Sequence, residues 1–390
     1  MRQTIIQLEE SKIREVANAG MGRADVLAFW FGESDEVTPD FIRQAAIESL
    51  QRGETFYSHN LGLVELREAI SSYMTALHGP IACERLAVTC GGVNALMVAM
   101  QALVDAGDEV VVVTPVWPNL TAQPVILGAR LVCVPLEPQC AGLDQGAWCL
   151  NMDRLLEQIT PRTKLLVLNA PNNPTGWTLT RAEQQTILRH CRRTGTWILA
   201  DEVYERLYYE PSTNGCAPSF LDLAKPEDRL VVAHSFSKSF LMTGWRLGWL
   251  VMPTALTPQV GKLIEFNTSC ASVFTQRAGI VALQRSAEVT PGIVAHLKLC
   301  RDRLVPLLRA LPGVQLASPS GGMYAFFKLD GYDDSLATAK RLVAEAGLGL
   351  APGNAFAPQA QGWLRWCFAS HDPQRLVLGV ERLRGWLHRV

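Results

Sequence analysis

The sequence predicts an α/β protein: a wound, mostly parallel sheet flanked by helices, with a smaller α+β unit assembled from both ends of the chain. Three observations carry this reading. Short β-rich runs alternate with helix-like intervals between about residues 85 and 250, the pattern of parallel βαβ units. Runs such as EVVVV at 109–113 lack polar alternation, as expected of strands covered on both faces. The flanks differ from this middle part, with no long Gly/Ser/Pro linker and no internal repeat.

Residues 1–45 read as a helix and then an extended piece, VLAFWFGESDEVTP, and form the N-terminal part of the small unit. Residues 46–284 form the large unit. Its strands are predicted at 86–90, 109–113, 130–134, 164–168, 196–200, 230–234 and 247–251, with helices over 94–106, 152–159 and 181–193. Residues 285–390 complete the small unit, mainly helical but with strand-like GGMYAFFKL and GWLRWCFAS. The weakly charged stretch 86–104 is broken by CGG, so it reads as strand, turn and helix rather than a membrane span.

Composition narrows the class. At 48% hydrophobic and 19% charged residues, the chain can bury a sizeable core. A formal charge of −1 offers no basic excess for nucleic acid. Ten cysteines are scattered, with no CxxC and no His/Cys run at metal-ligand spacing. They read mostly as small buried apolar residues of a reducing, cytoplasmic protein, and no metal is expected. The opening MRQTIIQLEESKIREV has no continuous apolar core, unlike a signal peptide or membrane anchor. The sequons at Asn119 and Asn267 carry no meaning without secretion.

Five polar signals follow five predicted strands: GGVN (91–94), TPVWPN (114–119), NAPNNPTG (169–176), DEVY (201–204) and SFSK (235–238). In a parallel sheet these loops share the carboxyl edge, where ligands bind. Gly91, Gly92 and Val93 open a helix and suit either a tight turn or a phosphate. Ser235, Ser237 and Arg246 add donors for one phosphate. Asp201 is either a helix N-cap or a buried carboxylate awaiting a partner. Asn173 lies in turn chemistry, which leaves its amide available. Trp117 is either a core plug or an aromatic face above a flat ring. Arg365 is either a solvated strand charge or, as its place between Leu364 and Trp366 in an aromatic-rich strand favours, a buried charge with a partner. A lysine, carboxylate, phenol, amide, aromatic face and phosphate site at one edge match the needs of pyridoxal phosphate.

The sequence resembles the class I/II aminotransferases of the fold-type I pyridoxal-phosphate family over nearly its whole length. The resemblance runs through FGESDEVTP, YSHNLGLVELREAI, VTCGGVNAL, NAPNNPTG, DEVYERL, SFSKSFLMTGWRLGW, PGNAF and WLRWCFAS. It implies that Lys238 is the Schiff-base lysine and general acid/base, that Asp201 pairs with the ring nitrogen, and that Tyr204 and Asn173 bond the ring's phenolic oxygen. It further implies that Trp117 stacks on the ring and that Gly92, Val93, Ser235, Ser237 and Arg246 hold the phosphate. Tyr57 would reach the neighbouring subunit's phosphate, which implies a homodimer with shared active sites. Arg365, helped by the Gly32 backbone and the Asn173 amide, would clamp the substrate α-carboxylate.

This chain departs from the pattern at Val93, where many relatives carry a serine or lysine side chain, and at Ser34, where proline is common. No basic residue stands out for a second substrate carboxylate. Trp30 and Phe31 read as core or interface, or as the lining of an apolar substrate pocket. The expected reaction moves an amino group between an L-amino acid and a 2-oxo acid by a ping-pong route. The alternatives are a carbon–sulfur β-lyase on the same scaffold and, more remotely, a pyridoxal-phosphate-sensing regulator.

Overall fold

A computed structural model describes residues 1–139 and 147–389. In chain order its strands are β1 (Leu27–Ala28), β2 (Leu86–Thr89), β3 (Glu109–Thr114), β4 (Arg130–Gln139), β5 (Ala147–Leu150), β6 (Thr163–Asn169), β7 (Trp197–Asp201), β8 (Leu230–Ser235), β9 (Gly248–Val251), β10 (Val314–Leu316), β11 (Tyr324–Leu329), β12 (Leu348–Gly349), β13 (Ala351–Pro352) and β14 (Trp363–Cys367). The main sheet has the order β2-β9-β8-β7-β6-β3-β4-β5. Strands β8, β7, β6, β3 and β4 are parallel neighbours. β9 runs against both β8 and β2, so β2 points the same way as the parallel strands. The predicted wound, mostly parallel sheet is therefore present. The short antiparallel edge strand β5 is an addition to the seven predicted ones.

Strand composition explains this sheet. All six residues of β3 are buried. Val110 and Val112 enter the core on one face, and Val111 and Val113 enter the core on the other. Successive side chains of a strand alternate between faces, so a strand packed on both sides is apolar throughout. The Gly92–Leu103 and Thr257–Asn267 helices cover one face.

Registry then aligns the strand ends. Asn169 lies opposite Asp201, Asp201 opposite Ala233, and Gly248 opposite both Ser235 and Thr89. Because β9 is reversed, the residues just before it, Arg246 included, arrive at the edge where β2, β3, β6, β7 and β8 terminate.

A second, four-stranded antiparallel sheet has the order β10-β11-β14-β13. A third core joins Val16, Phe29 and Trp30 to Leu304, Trp366 and Val380, so the amino end and the last third of the chain pack together. β1 pairs with β12 in the same region. The Asp40–Gln51 helix instead packs on the Val273–Gln284 helix.

The amino end differs from the single helix expected. It forms two helices, Gln3–Ile6 and Lys12–Gly20, and the Ser11 side chain caps the second by accepting from the Arg14 N–H. The cysteines also differ from the expectation that most are buried. Cys191, Cys216, Cys300 and Cys367 are buried, Cys133 is exposed and four more are intermediate. Cys140 lies outside the described residues. Among the described residues, no helix is long and apolar enough to cross a membrane.

Candidate active site

At the end of β2 the chain turns at Gly91 and enters the Gly92–Leu103 helix. Gly91 has φ 91°, and a Cβ there would stand 2.4 Å from Arg246 Nη2. Glycine thus supplies the left-handed turn and lets the guanidinium approach the start of the helix. The first helical N–H groups, at Gly92 and Val93, have no intrahelical partner, and no side chain caps them. Ser235 and Ser237 stand beside them, hydroxyl to hydroxyl at 2.9 Å. Arg246 Nη1 donates to the Thr243 carbonyl at 2.6 Å, which aims the rest of its fork. The result is a cradle of N–H, O–H and guanidinium donors shaped for an anion.

Beyond the cradle lies Lys238, on the Phe236–Ser239 helical turn that follows β8. Its Nζ donates to the Gly32 carbonyl at 2.5 Å. Burial lowers this amine to about 8, and Arg365 and Arg246 add to the shift. Asp201, the last residue of β7, is 2% exposed. Burial pushes its carboxyl up to about 7, against one backbone donor, the Val203 N–H at 3.4 Å. No helix follows it, so the N-cap alternative is set aside. A buried carboxylate with so little compensation calls for a cation.

Two adjacent asparagines divide the work of the NAPNNPTG loop. Asn172 Oδ1 accepts from the Thr175 N–H and hydroxyl at 3.0 and 2.7 Å, and so builds the turn. Asn173 is thereby free of turn duty, and its Oδ1 accepts from Arg365 Nη1 at 2.9 Å. Arg365 is 2% exposed in β14. Its Nη2 donates to the Trp30 carbonyl, and its Nε has no hydrogen-bond partner among the described residues. The guanidinium is held in place yet keeps a donor unused.

These groups line one cavity of about 580 Å³, a size suited to a cofactor and a small substrate. Gly32, Gly92, Val93, Trp117, Asn173 and Asp201 border it. So do Tyr204, Ser235, Ser237, Lys238, Arg246 and Arg365. Tyr57 does not; it is 88% exposed. Phe31 reaches the cavity while Trp30 is buried behind it.

Sequence reasoning missed two contributors. Arg14, in the Lys12–Gly20 helix, borders the cavity with its guanidinium over the Phe31 ring, 4.9 Å from the centroid. Among the described residues that guanidinium has no ion pair. Tyr324, in β11, borders it too, and its hydroxyl lies 2.6 Å from that of Tyr204.

Beside Asp201, but outside the cavity, lies a cluster with no sequence signal. His78 stands between Asp222 and Glu205 at 2.7 and 3.0 Å. Glu202, Glu205, His234 and Cys216 complete the group. Glu202 accepts from Ser219 Oγ and the Phe220 N–H at 2.5 and 3.1 Å. These partners are internal to the protein, as in an ion-pair network that ties the DEVYE turn to its neighbours.

Known proteins resemble this chain over nearly its whole length. The family described as "Aminotransferase class I and II" matches residues 25–383. The chain belongs to that family. It is 32% identical to the aspartate aminotransferase of Pyrococcus horikoshii over 97% of this chain and 95% of that protein. It is also 32% identical to the arginine–pyruvate transaminase of Pseudomonas aeruginosa, over 97% and 92% respectively. Among solved structures, a single-mutant Thermus thermophilus aspartate aminotransferase superposes with a TM-score of 0.90 at 29% identity, covering 99% of both chains. This class I/II aminotransferase is a pyridoxal-phosphate-dependent enzyme of fold type I that uses amino acid and 2-oxo acid substrates. The relatives favour transamination over the carbon–sulfur lyase alternative.

Proposed function

We propose that transamination in this chain runs through the residues gathered in the cavity, in a cytoplasmic homodimer. The observation that carries the proposal is Lys238. Its amine is lowered toward neutral pH, within one cavity with a buried, undercompensated carboxylate and a buried arginine.

Pyridoxal phosphate, when bound, supplies an aldehyde for amine exchange and a ring that accepts the electron pair left by loss of a Cα proton. The chain's residues do the rest. Gly92 and Val93 N–H groups, Ser235, Ser237 and Arg246 hold the phosphate. Asp201 keeps the ring nitrogen protonated, and the cation relieves the burial that raises its own carboxyl pKa. Trp117 covers one ring face. Tyr204 donates to the phenolic oxygen, and Asn173 supports it. Arg365 fixes the substrate α-carboxylate as a bidentate fork, with Asn173 and the Gly32 backbone orienting it. Lys238, whose amine burial lowers to about 8, would serve as the base that takes the substrate Cα proton and as the acid that returns it. Two half-reactions through one site give ping-pong kinetics.

The dimer is supported by the aromatic side chains of Phe56, Tyr57 and Phe266, exposed by 83%, 88% and 87% in the single chain, an unusual cost unless a second copy covers them. The cytoplasmic reading is supported by buried, inert thiols such as Cys191 and Cys300.

Borohydride reduction of the cofactor-loaded protein followed by peptide mapping tests the proposal. The label is expected on Lys238; a label on another lysine would sink it. A companion test mixes the yellow holoenzyme with single amino acids. Loss of its visible absorption without any oxo-acid acceptor is the expected half-reaction.

A further inference from the structure

Tyr324 borders the cavity, and the reaction scheme leaves it without a task. It is fully buried, and its hydroxyl meets the Tyr204 hydroxyl at 2.6 Å, a short contact for two phenols. The rings stand edge to face at 5.8 Å and 79°. The Arg365 guanidinium lies over the Tyr324 ring, 4.5 Å from its centroid. Gly32 makes room for this arrangement, because a Cβ there would stand 2.1 Å from Tyr324 Oη. Tyr324 is thus held on several sides with its oxygen aimed at Tyr204.

A phenol has one proton to donate and lone pairs to accept with. When Tyr204 gives its proton to a ligand oxygen, it can only accept in its bond with Tyr324. Tyr324 must then be the donor. We infer that Tyr324 is a positioning residue: it donates its phenolic proton to Tyr204, and so fixes Tyr204 as the donor toward the cofactor's phenolic oxygen. The inference rests on the reading of Tyr204 given above. Hydrogen bonds in series polarise one another, so Tyr204 becomes a stronger donor than a lone tyrosine. A stronger donor draws electron density from the phenolic oxygen. That in turn lowers the proton affinity of the nitrogen that Lys238 contributes to the cofactor.

The test is a spectrophotometric pH titration of the holoenzyme. Tyr324→Phe is expected to raise the midpoint of the visible absorption change by about one pH unit, a tenfold gain in proton affinity. Tyr204→Phe is expected to raise it at least as far, and the double variant to match Tyr204→Phe alone. A shift in Tyr204→Phe with none in Tyr324→Phe overturns the inference and leaves the Tyr204 reading standing. No shift in Tyr204→Phe overturns that reading itself. Additive shifts would mean that Tyr324 acts independently of Tyr204, which also overturns the relay. Should Tyr324→Phe fail to fold, NMR of the wild-type holoenzyme decides. A slowly exchanging hydroxyl proton close to both tyrosine rings is expected, and its absence refutes the relay.

Discussion

At the scale of single residues, the cavity separates groups that build it from groups that work in it. Asn172 and Asn173 are identical side chains one position apart. The first closes a turn through Thr175, and the second meets Arg365. Arg365 is held from behind by Asn173 and the Trp30 carbonyl, which fixes its guanidinium at the cavity wall. Arg14 is the other cation of interest, because among the described residues no ion pair neutralises it and it borders the same cavity. A cation so placed favours substrates that carry a second negative group. Arg14→Ala is therefore expected to raise KM for aspartate or glutamate roughly fivefold, the scale of an exposed charge pair. KM for alanine should stay within about twofold. Steady-state kinetics with all three donors checks this; an equal rise for alanine would assign Arg14 to general packing.

At the scale of elements, the Val64–His78 helix ends against the turn that follows β7. His78 joins them, between Asp222 and Glu205. Burial disfavours its charge, but the two carboxylates outweigh burial and raise its pKa to about 10. An unfolded histidine titrates near 6.5. The folded value is the higher one, so the stabilisation is complete below about pH 6.5 and fades as pH rises toward 10. His78→Asn is expected to cost about 3 kcal/mol at pH 6, as breaking a buried ion pair does. The gap from wild type should shrink steadily toward pH 10. Urea melts across that range measure it; a gap that does not change with pH would remove the charge from the account.

The same elements show what sequence could and could not disclose. Five apolar runs end in polar loops, and a parallel sheet gathers such ends, so the shared edge of Asp201, Asn173, Ser235 and Lys238 was legible from order, while their roles came from the family resemblance. Tyr324 was not, because it sits in the apolar strand β11 and nothing local marks a phenol as polar in function. Arg14 reads as a solvated helix charge, and it stays exposed in the fold, which sets it at the border of the cavity. His78 and Glu205 are 127 positions apart, and no periodicity links them. β5 has only four residues at a sheet edge, too short to carry a strand pattern.

At the scale of the whole molecule, the exposed aromatic loop at Phe56 and Tyr57 should be covered by a second copy. Light scattering is expected to return twice the 42.9 kDa chain mass. Tyr57→Phe should weaken cofactor binding while leaving the dimer intact, and a stable monomer with full cofactor affinity would contradict both statements. The pairing of β1 with β12 has a consequence for how the protein is made. Phe29 and Trp30 meet Val16 and Ala17 early, but most of the core they enter, Trp366 and Val380 included, is added by the ribosome some three hundred positions later. Throughout elongation that leading segment stays sticky and unsheltered while the middle of the chain already has what it needs to fold. A nascent chain halted before residue 348 should therefore recruit chaperones at its front end, and release of the finished polypeptide should end that dependence.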